Sequence, residues 1–290
     1  MKTAKTIYLI VIILVTVAVV GFFGARRIRA FRGMFTDADI VKESVSLEPF
    51  KEIRLDADIA DFTIVEGEEY RIDYEYPSNM TLKGEVDKET LKIELKGKKN
   101  NSFSLIRIDG NSVKTAEPKL KVVVPAGTDF EKVDLQIDAG NVTLSDRVIV
   151  ELIADSDAGN FNLSKITAGK TNITADAGNI EIKDSTLGDC DLKTSAGRIK
   201  VDDSVMNSAD AETSMGEIDF DNTTFEKGNI ISDMGAVSVD GNFEELTCRT
   251  SLGKISVDSD SIDDAKLDLY MDMGDIKVNG DSKGTEFKQN

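Results

Sequence analysis

The sequence predicts an all-β protein: a parallel β-solenoid of about eight coils of ~19 residues each, preceded by an irregular β cap module and an N-terminal transmembrane helix. Three observations predict it. Residues 138–144, 157–163 and 176–182 read DAGNVTL, DAGNFNL and DAGNIEI, one phrase three times at a spacing of nineteen. The glycines of that phrase continue as Gly140, Gly159, Gly178, Gly197, Gly216, Gly235, Gly253 and Gly274, at intervals of 19, 19, 19, 19, 19, 18 and 21. Two and four residues after each glycine stand apolar pairs such as Val142 and Leu144, or Ile180 and Ile182. Apolar residues at alternate positions belong to a strand with one buried face.

Residues 1–32 form the first element. Residues 7–23, IYLIVIILVTVAVVGFF, are an unbroken apolar run. With flanking residues it extends over positions 6–25, and ~20 helical residues span a ~30 Å hydrocarbon core. The run exceeds the 7–15 residues usual for a signal peptide, and no small-x-small cleavage site precedes the arginines, so an uncleaved anchor is expected. Lys2, Lys5 and the amino terminus flank one side, and Arg26, Arg27, Arg29 and Arg32 the other. That count does not by itself place the body outside the membrane.

Residues 33–48 are a polar linker. Residues 49–130 keep a β texture without the period, in segments such as EIRLDADIADFTIVEG and KLKVVVP. DADIADFTI looks like a degenerate repeat with Ala60 at the glycine position. This lead-in is expected to cap the first coil, since an open solenoid end is an unpaired edge. Residues 131–280 hold the repeats, and residues 281–290, DSKGTEFKQN, form a short tail that leaves end-to-end self-association open.

Within each coil a second strand precedes the glycine, with Leu135, Ala154, Ile173, Leu192, Ala211, Ile230, Cys248 and Leu269 five residues upstream. The residue just before the glycine is also apolar, from Ala139 to Met273. A bend at a glycine with φ > 0 would turn both flanks inward. A third inward column is expected at Val148, Ile166, Leu187, Met206, Phe225, Phe243 and Ile262.

Composition excludes several function classes. All six bases of the first 32 residues lie around the apolar run, which leaves 29 bases against 53 acids in the remainder, a net charge of −24. Such a body repels nucleic acid, and no DNA or RNA partner is expected. There is no His, and the two cysteines, Cys190 and Cys248, are too few for a disulfide framework or a four-thiolate zinc site. Both fall in interior columns about 14 Å apart, and neither is an activated nucleophile. Coil length is nearly constant, so no loop-built cleft is visible, and neither catalytic residues nor a cofactor is expected.

Two acidic columns remain. Asp138, Asp157 and Asp176 stand two residues before a glycine, and Asp202, Asp221, Asp240 and Asp258 stand five residues after one on four consecutive coils. Carboxylates ~4.8 Å apart could be bridged by Ca²⁺. Ser replaces Asp at several units of the first column, which suits a turn-capping role better than a ligand role. Asn141, Asn160 and Asn179 are expected to stack as an amide ladder.

The membrane segment, the β lead-in, the KLKVVVP strand and the tandem [D/S]-x-G-x-[I/V/F]-x-aliphatic units together resemble a bacterial β-strand-repeat family of unknown function, often called "putative adhesin" and common in Gram-positive bacteria. The resemblance covers residues 45–280. It implies a membrane-anchored module exposed outside the cell, binding an unknown envelope component or protein partner, with a link to envelope-stress sensing, and it supplies no catalytic residues. Short repeats of this type also resemble bactofilins, cytoplasmic β-helical polymers, which implies the alternative of a cytoplasmic-facing, self-assembling scaffold. A polysaccharide-binding or -cleaving solenoid is the third reading.

Overall fold

Alternating apolar residues bring each coil's strands around a shared interior. The computed structural model describes residues 39–97, 106–109, 112–115 and 117–289. The predicted membrane segment therefore lies outside the described residues, and among those described no helix is long and apolar enough to cross a membrane.

The lead-in contributes β1 (Ile40–Ser46), β2 (Glu52–Ile59), β3 (Asp61–Gly67), β4 (Arg71–Pro77), β5 (Met80–Asp87), β6 (Thr90–Gly97), β7 (Ile106–Asp109), β8 (Ser112–Thr115) and β9 (Lys119–Pro125). The repeats contribute β10 (Phe130–Ala139), β11 (Val142–Ala158), β12 (Phe161–Ala177), β13 (Ile180–Lys183), β14 (Thr186–Ala196), β15 (Ile199–Asp202), β16 (Val205–Met215), β17 (Ile218–Asp258) and β18 (Lys266–Val278), and the tail contributes β19 (Asp281–Gly284) and β20 (Glu286–Gln289).

Parallel pairing runs through the repeats in register. Val142 faces Phe161, Ile180 faces Ile199, and Ile199 faces Ile218 on successive coils. The interior is a continuous apolar stack in which Phe161, Phe220 and Phe225 are fully buried. The solenoid also extends below the periodic repeats. β2 and β3 pair in parallel with β10 and β11, so DADIADFTI forms a coil with Ala60 in the glycine column. β6 and β9 pair in parallel with β2 and β3 and make a further rung. The lead-in is thus less irregular than its sequence suggests. Its cap proper is antiparallel: β5 covers β6, and β4 covers β9 with β1 outside it.

The tail differs from expectation too. β19 and β20 lie antiparallel on β18, pairing Val278 with Asp281 and Leu269 with Phe287. A chain that turns back on its own last strand satisfies backbone groups an open end would leave unpaired.

One inward column is corrected, and a second at one position. The residues just before the glycines face outward: Met215, Met234, Leu252 and Met273 are 42, 48, 41 and 53% exposed. The buried residue is three before the glycine instead, and it is often a hydroxyl. Thr194, Thr213, Ser232 and Thr250 each donate to the carbonyl of the preceding coil's glycine, from 3.2 to 3.4 Å. The third column holds at Ile166, Leu187, Met206, Phe225 and Phe243, all buried, and fails at Val148. Arg147, not Val148, pairs with Ile166 and is buried, while Val148 faces solvent. The inward partner of Leu187 is Ala168, with Met206 and Phe225 on the following coils. The cause is a second corner. Asp146, Lys165, Asp184, Asp203 and Asn222, six residues after each glycine, have φ between 47° and 54°. This left-handed residue resets the alternation, and Asp and Asn tolerate it better than most.

The glycine corner does not depend chiefly on φ. Gly140 has φ 130°, but Gly159, Gly178, Gly197, Gly216 and Gly235 lie outside the left-handed region. Close approach of successive coils is what requires glycine there: a Cβ on Gly178 would lie 1.7 Å from the Gly159 carbonyl oxygen.

Candidate functional site

Outward side chains on successive strands stand ~4.8 Å apart, so each column of the sequence becomes a straight row on the surface. The amide row forms as expected. Asn160 donates through Nδ2 to Asn141 Oδ1 (2.9 Å), and Asn141 donates likewise to Asp61 Oδ1 (3.0 Å). The side-chain oxygens of Asn160 and Asn179 accept the backbone N–H of the next coil, from Asn179 and Arg198. Asp61, one residue after Ala60, starts the ladder.

The first acidic column runs Asp138, Asp157, Asp176 and gains Asp58 from the lowest coil in the glycine register. Lys96 closes its foot, with Nζ 2.6 Å from Asp56 and 2.9 Å from Asp58. Burial alone would lower the Lys96 pKa, but the two carboxylates hold it above the ordinary lysine value. Partial burial raises the Asp138 pKa, Lys96 opposes that rise, and the carboxylates of Asp58 and Asp157 add to it. Burial and the charges of Asp176 and Asp157 raise Asp155. Asp176 accepts a hydrogen bond from the Ser195 hydroxyl at 3.4 Å.

The second acidic column is less regular. Asp202 faces Asp221 on the next coil, but Asp202 is buried and bonded to Lys200 of its own coil. Above Asp221 the coil loses a residue, Gly241 stacks on Thr223, and Asp240 sits at the shortened corner. Asp258 is half-buried, 3.5 Å from the Ser256 hydroxyl. Among the described residues no three His, Cys, Asp or Glu side chains gather closely enough to hold a metal ion. The expected alternation of charge along the ladder holds in register, Lys200 lying between Glu181 and Asp219. Its bonds are made differently, with Arg198 taking Asp219 at 2.6 Å. Cys190 and Cys248 are free and buried, and burial pushes both thiols up.

Sequence reasoning missed the surface recess where the cap meets the first coils, a space of about 880 Å³. One row of its floor crosses five strands, from Asp73 through Lys121, Thr63 and Thr143 to Asn162. Asp73 anchors it, accepting from the Ser44 hydroxyl (2.6 Å) and Arg71 Nε (3.1 Å) and lying 2.9 Å from Lys121 Nζ. Burial would raise the Asp73 pKa, but these three donors lower it to about 2. Beside it Tyr74 bonds to Glu43, and burial together with that carboxylate pushes the phenol up to about 12. Lys42 is likewise paired, with Glu75 at 2.9 Å. With its charges largely matched, the recess offers hydroxyls and amides rather than a net charge. No sequence signal short of the β4–β9 pairing could have found it, because Asp73 and Lys121 are 48 residues apart.

A capped parallel β-solenoid whose outer rows are polar ladders defines an all-β repeat protein. Residues 50–289 match the Toastrack DUF4097 family, and the chain belongs to it. The resemblance drawn from the repeats is borne out. A solved structure of a "putative adhesin" from Parabacteroides distasonis shares the fold at 14% identity, covering 84% of this chain and 99% of that one, with a TM-score of 0.53. A "putative lipid binding protein" from the same species aligns at 18% identity over 86% of this chain and 97% of that one, with a TM-score of 0.46. No curated protein matches the chain.

Proposed function

We propose that the protein is a non-catalytic binding module of the cell envelope, tethered through residues 6–25 with its solenoid outside the cell. The observation that carries this reading is the recess at the cap. It is a polar, charge-matched surface built on a rigid stack, next to the end from which the anchor segment departs. Rigid rows of Thr63, Thr143 and Asn162 suit a polar partner such as a saccharide chain or a peptide of the envelope. Occupancy of that site is the route by which such a module would report on envelope stress.

Protease treatment of intact cells tests the orientation. Digestion of the body supports the reading, and full protection overturns it. The alternative of a cytoplasmic scaffold built by end-to-end stacking is weakened by the antiparallel strands on both terminal coils. A size series against concentration separates the two, since a scaffold would grow.

A further inference from the structure

Five of the nine large apolar side chains exposed among the described residues fall on one surface of the upper coils: Met215, Met234, Leu252, Met273 and Tyr270. The first four form one row. Met234 faces Met215 and Met273 faces Leu252, while Gly253 stacks on Gly235 between them. Downward the row continues through Ala196, Ala177, Ala158 and Ala139 to Ile59. One apolar ridge thus runs the length of the solenoid, about 38 Å over nine rungs.

We propose that this ridge is the seam of a parallel homodimer, with a second copy of the chain packed against it rung for rung. Two copies share the same repeat, so a two-fold axis along the ridge mates every rung at once. That axis sets the row two before the glycines against the partner's row one after them. Asp138, Asp157 and Asp176 then meet Asn141, Asn160 and Asn179, Ser195 meets Arg198, and Ser251 meets Lys254. Like charges meet only at the two ends, Asp58 with Asp61 and Asp272 with Asp275. An antiparallel overlap of the full ridge instead sets Asp157 against Asp233 in mid-seam, as well as Asp58 against Asp272.

Methionine suits such a seam, being flexible enough to fit a copy of itself. The seam is narrow. Four half-exposed side chains do not supply the ~800 Å² per partner of a freely diffusing stable dimer. It fits copies held at high local concentration, with their N-termini at one end, by a shared membrane. The inference therefore rests on the proposed tether.

Disulfide trapping in the full-length chain tests it, with little background because both native cysteines are buried. Under mild oxidation in cells, Met215→Cys, Met234→Cys and Met273→Cys are each expected to trap most of the chain as a homodimer. Thr143→Cys, on another face, is expected to trap at least tenfold less. Crosslinking of Met234→Cys only to a copy carrying Ala158→Cys would show antiparallel packing and overturn the proposal. So would adducts only with other proteins, or no adduct at all in a chain that fractionates with the membrane. A chain found in the soluble fraction removes the tether itself, which separates that failure from failure of the seam. Met215→Lys with Met234→Lys in the Met273→Cys background is expected to abolish the dimer while leaving the melting temperature of these exposed sites within a few degrees.

Discussion

The carbonyl oxygen of Gly159 occupies the place where a Cβ on Gly178 would have to stand, 1.7 Å away. Neighbouring coils repeat the relationship, with 1.8 Å between Gly197 and Gly178 and between Gly216 and Gly197. The obstacle is backbone locked in a parallel ladder, so it cannot swing aside. Gly178→Ala is therefore expected to destabilise by about 2–4 kcal/mol or to prevent folding. Gly84→Ala, where a Cβ meets only open space, is expected to change stability by less than about 0.5 kcal/mol. Urea midpoints of the two variants check the pair.

Asn160→Ala removes two bonds of the amide ladder, to Asn141 Oδ1 and from the Asn179 N–H. A loss of about 1 kcal/mol is expected, limited because the freed groups reach water. Asn162→Ala, whose side chain belongs to the recess, serves as the comparison in the same denaturation series. A loss no greater at Asn160 would show that the ladder is ornamental.

Asp73 sets an acid limit for the cap. Its carboxylate titrates at about 2 in the folded protein, below an ordinary aspartate, so the folded state binds its proton less readily than the unfolded state does. Its contribution is complete above the unfolded value of ~3.9 and disappears as pH falls through about 2. Asp73→Asn is expected to lower stability at neutral pH and to flatten the melting-temperature profile between pH 4 and 2. Thermal unfolding across that range reads both effects.

Asp138 and Asp155 have the opposite sign. Raised values at Asp138 and Asp155 mean the folded state holds those protons more tightly, so stability rises as pH falls through the carboxylate range. Asp157→Asn is expected to stabilise by a few tenths of a kcal/mol at neutral pH by removing a like-charge neighbour from each side. Sodium chloride should raise the wild-type melting temperature in the same way. Millimolar Ca²⁺ at matched ionic strength is expected to add nothing, and a larger rise with Ca²⁺ would mark a cation site on one of the acidic columns.

Arg147 is 7% exposed, and its Nε has no hydrogen-bond partner. Its Nη1 donates to the Asp146 carbonyl at 2.8 Å. Arg147→Met keeps the volume and removes a buried charge, and is expected to stabilise by about 1 kcal/mol or more. A lower urea midpoint in that variant would show the guanidinium to be structurally required.

The period, the glycine column and the apolar pairs after it were legible because every coil must place the same residue class at the same phase. Even the weak copy at Ala60 could be read, since its neighbours Ala57, Phe62 and Ile64 keep the pattern of buried residues. The second corner was legible only in part. Asp146, Asp184, Asp203 and Asn222 are the residue types a left-handed turn favours, but Lys165 breaks the run and hides it. Missing that corner placed Val148 where Arg147 lies.

The sequence by itself determined a stack of coils and the amide ladder, because those follow from a period written in the chain. Tertiary structure alone decided which side of each corner a residue faces, since alternation is lost wherever the backbone bends. That is why the apolar residues from Ala139 to Met273 form an outer ridge instead of a core column. It also decided the recess, where Asp73 meets Lys121 across a pairing of β4 with β9 that no local pattern encodes, and the cap at the far end, where a polar tail folds back because the last strand's backbone needs partners.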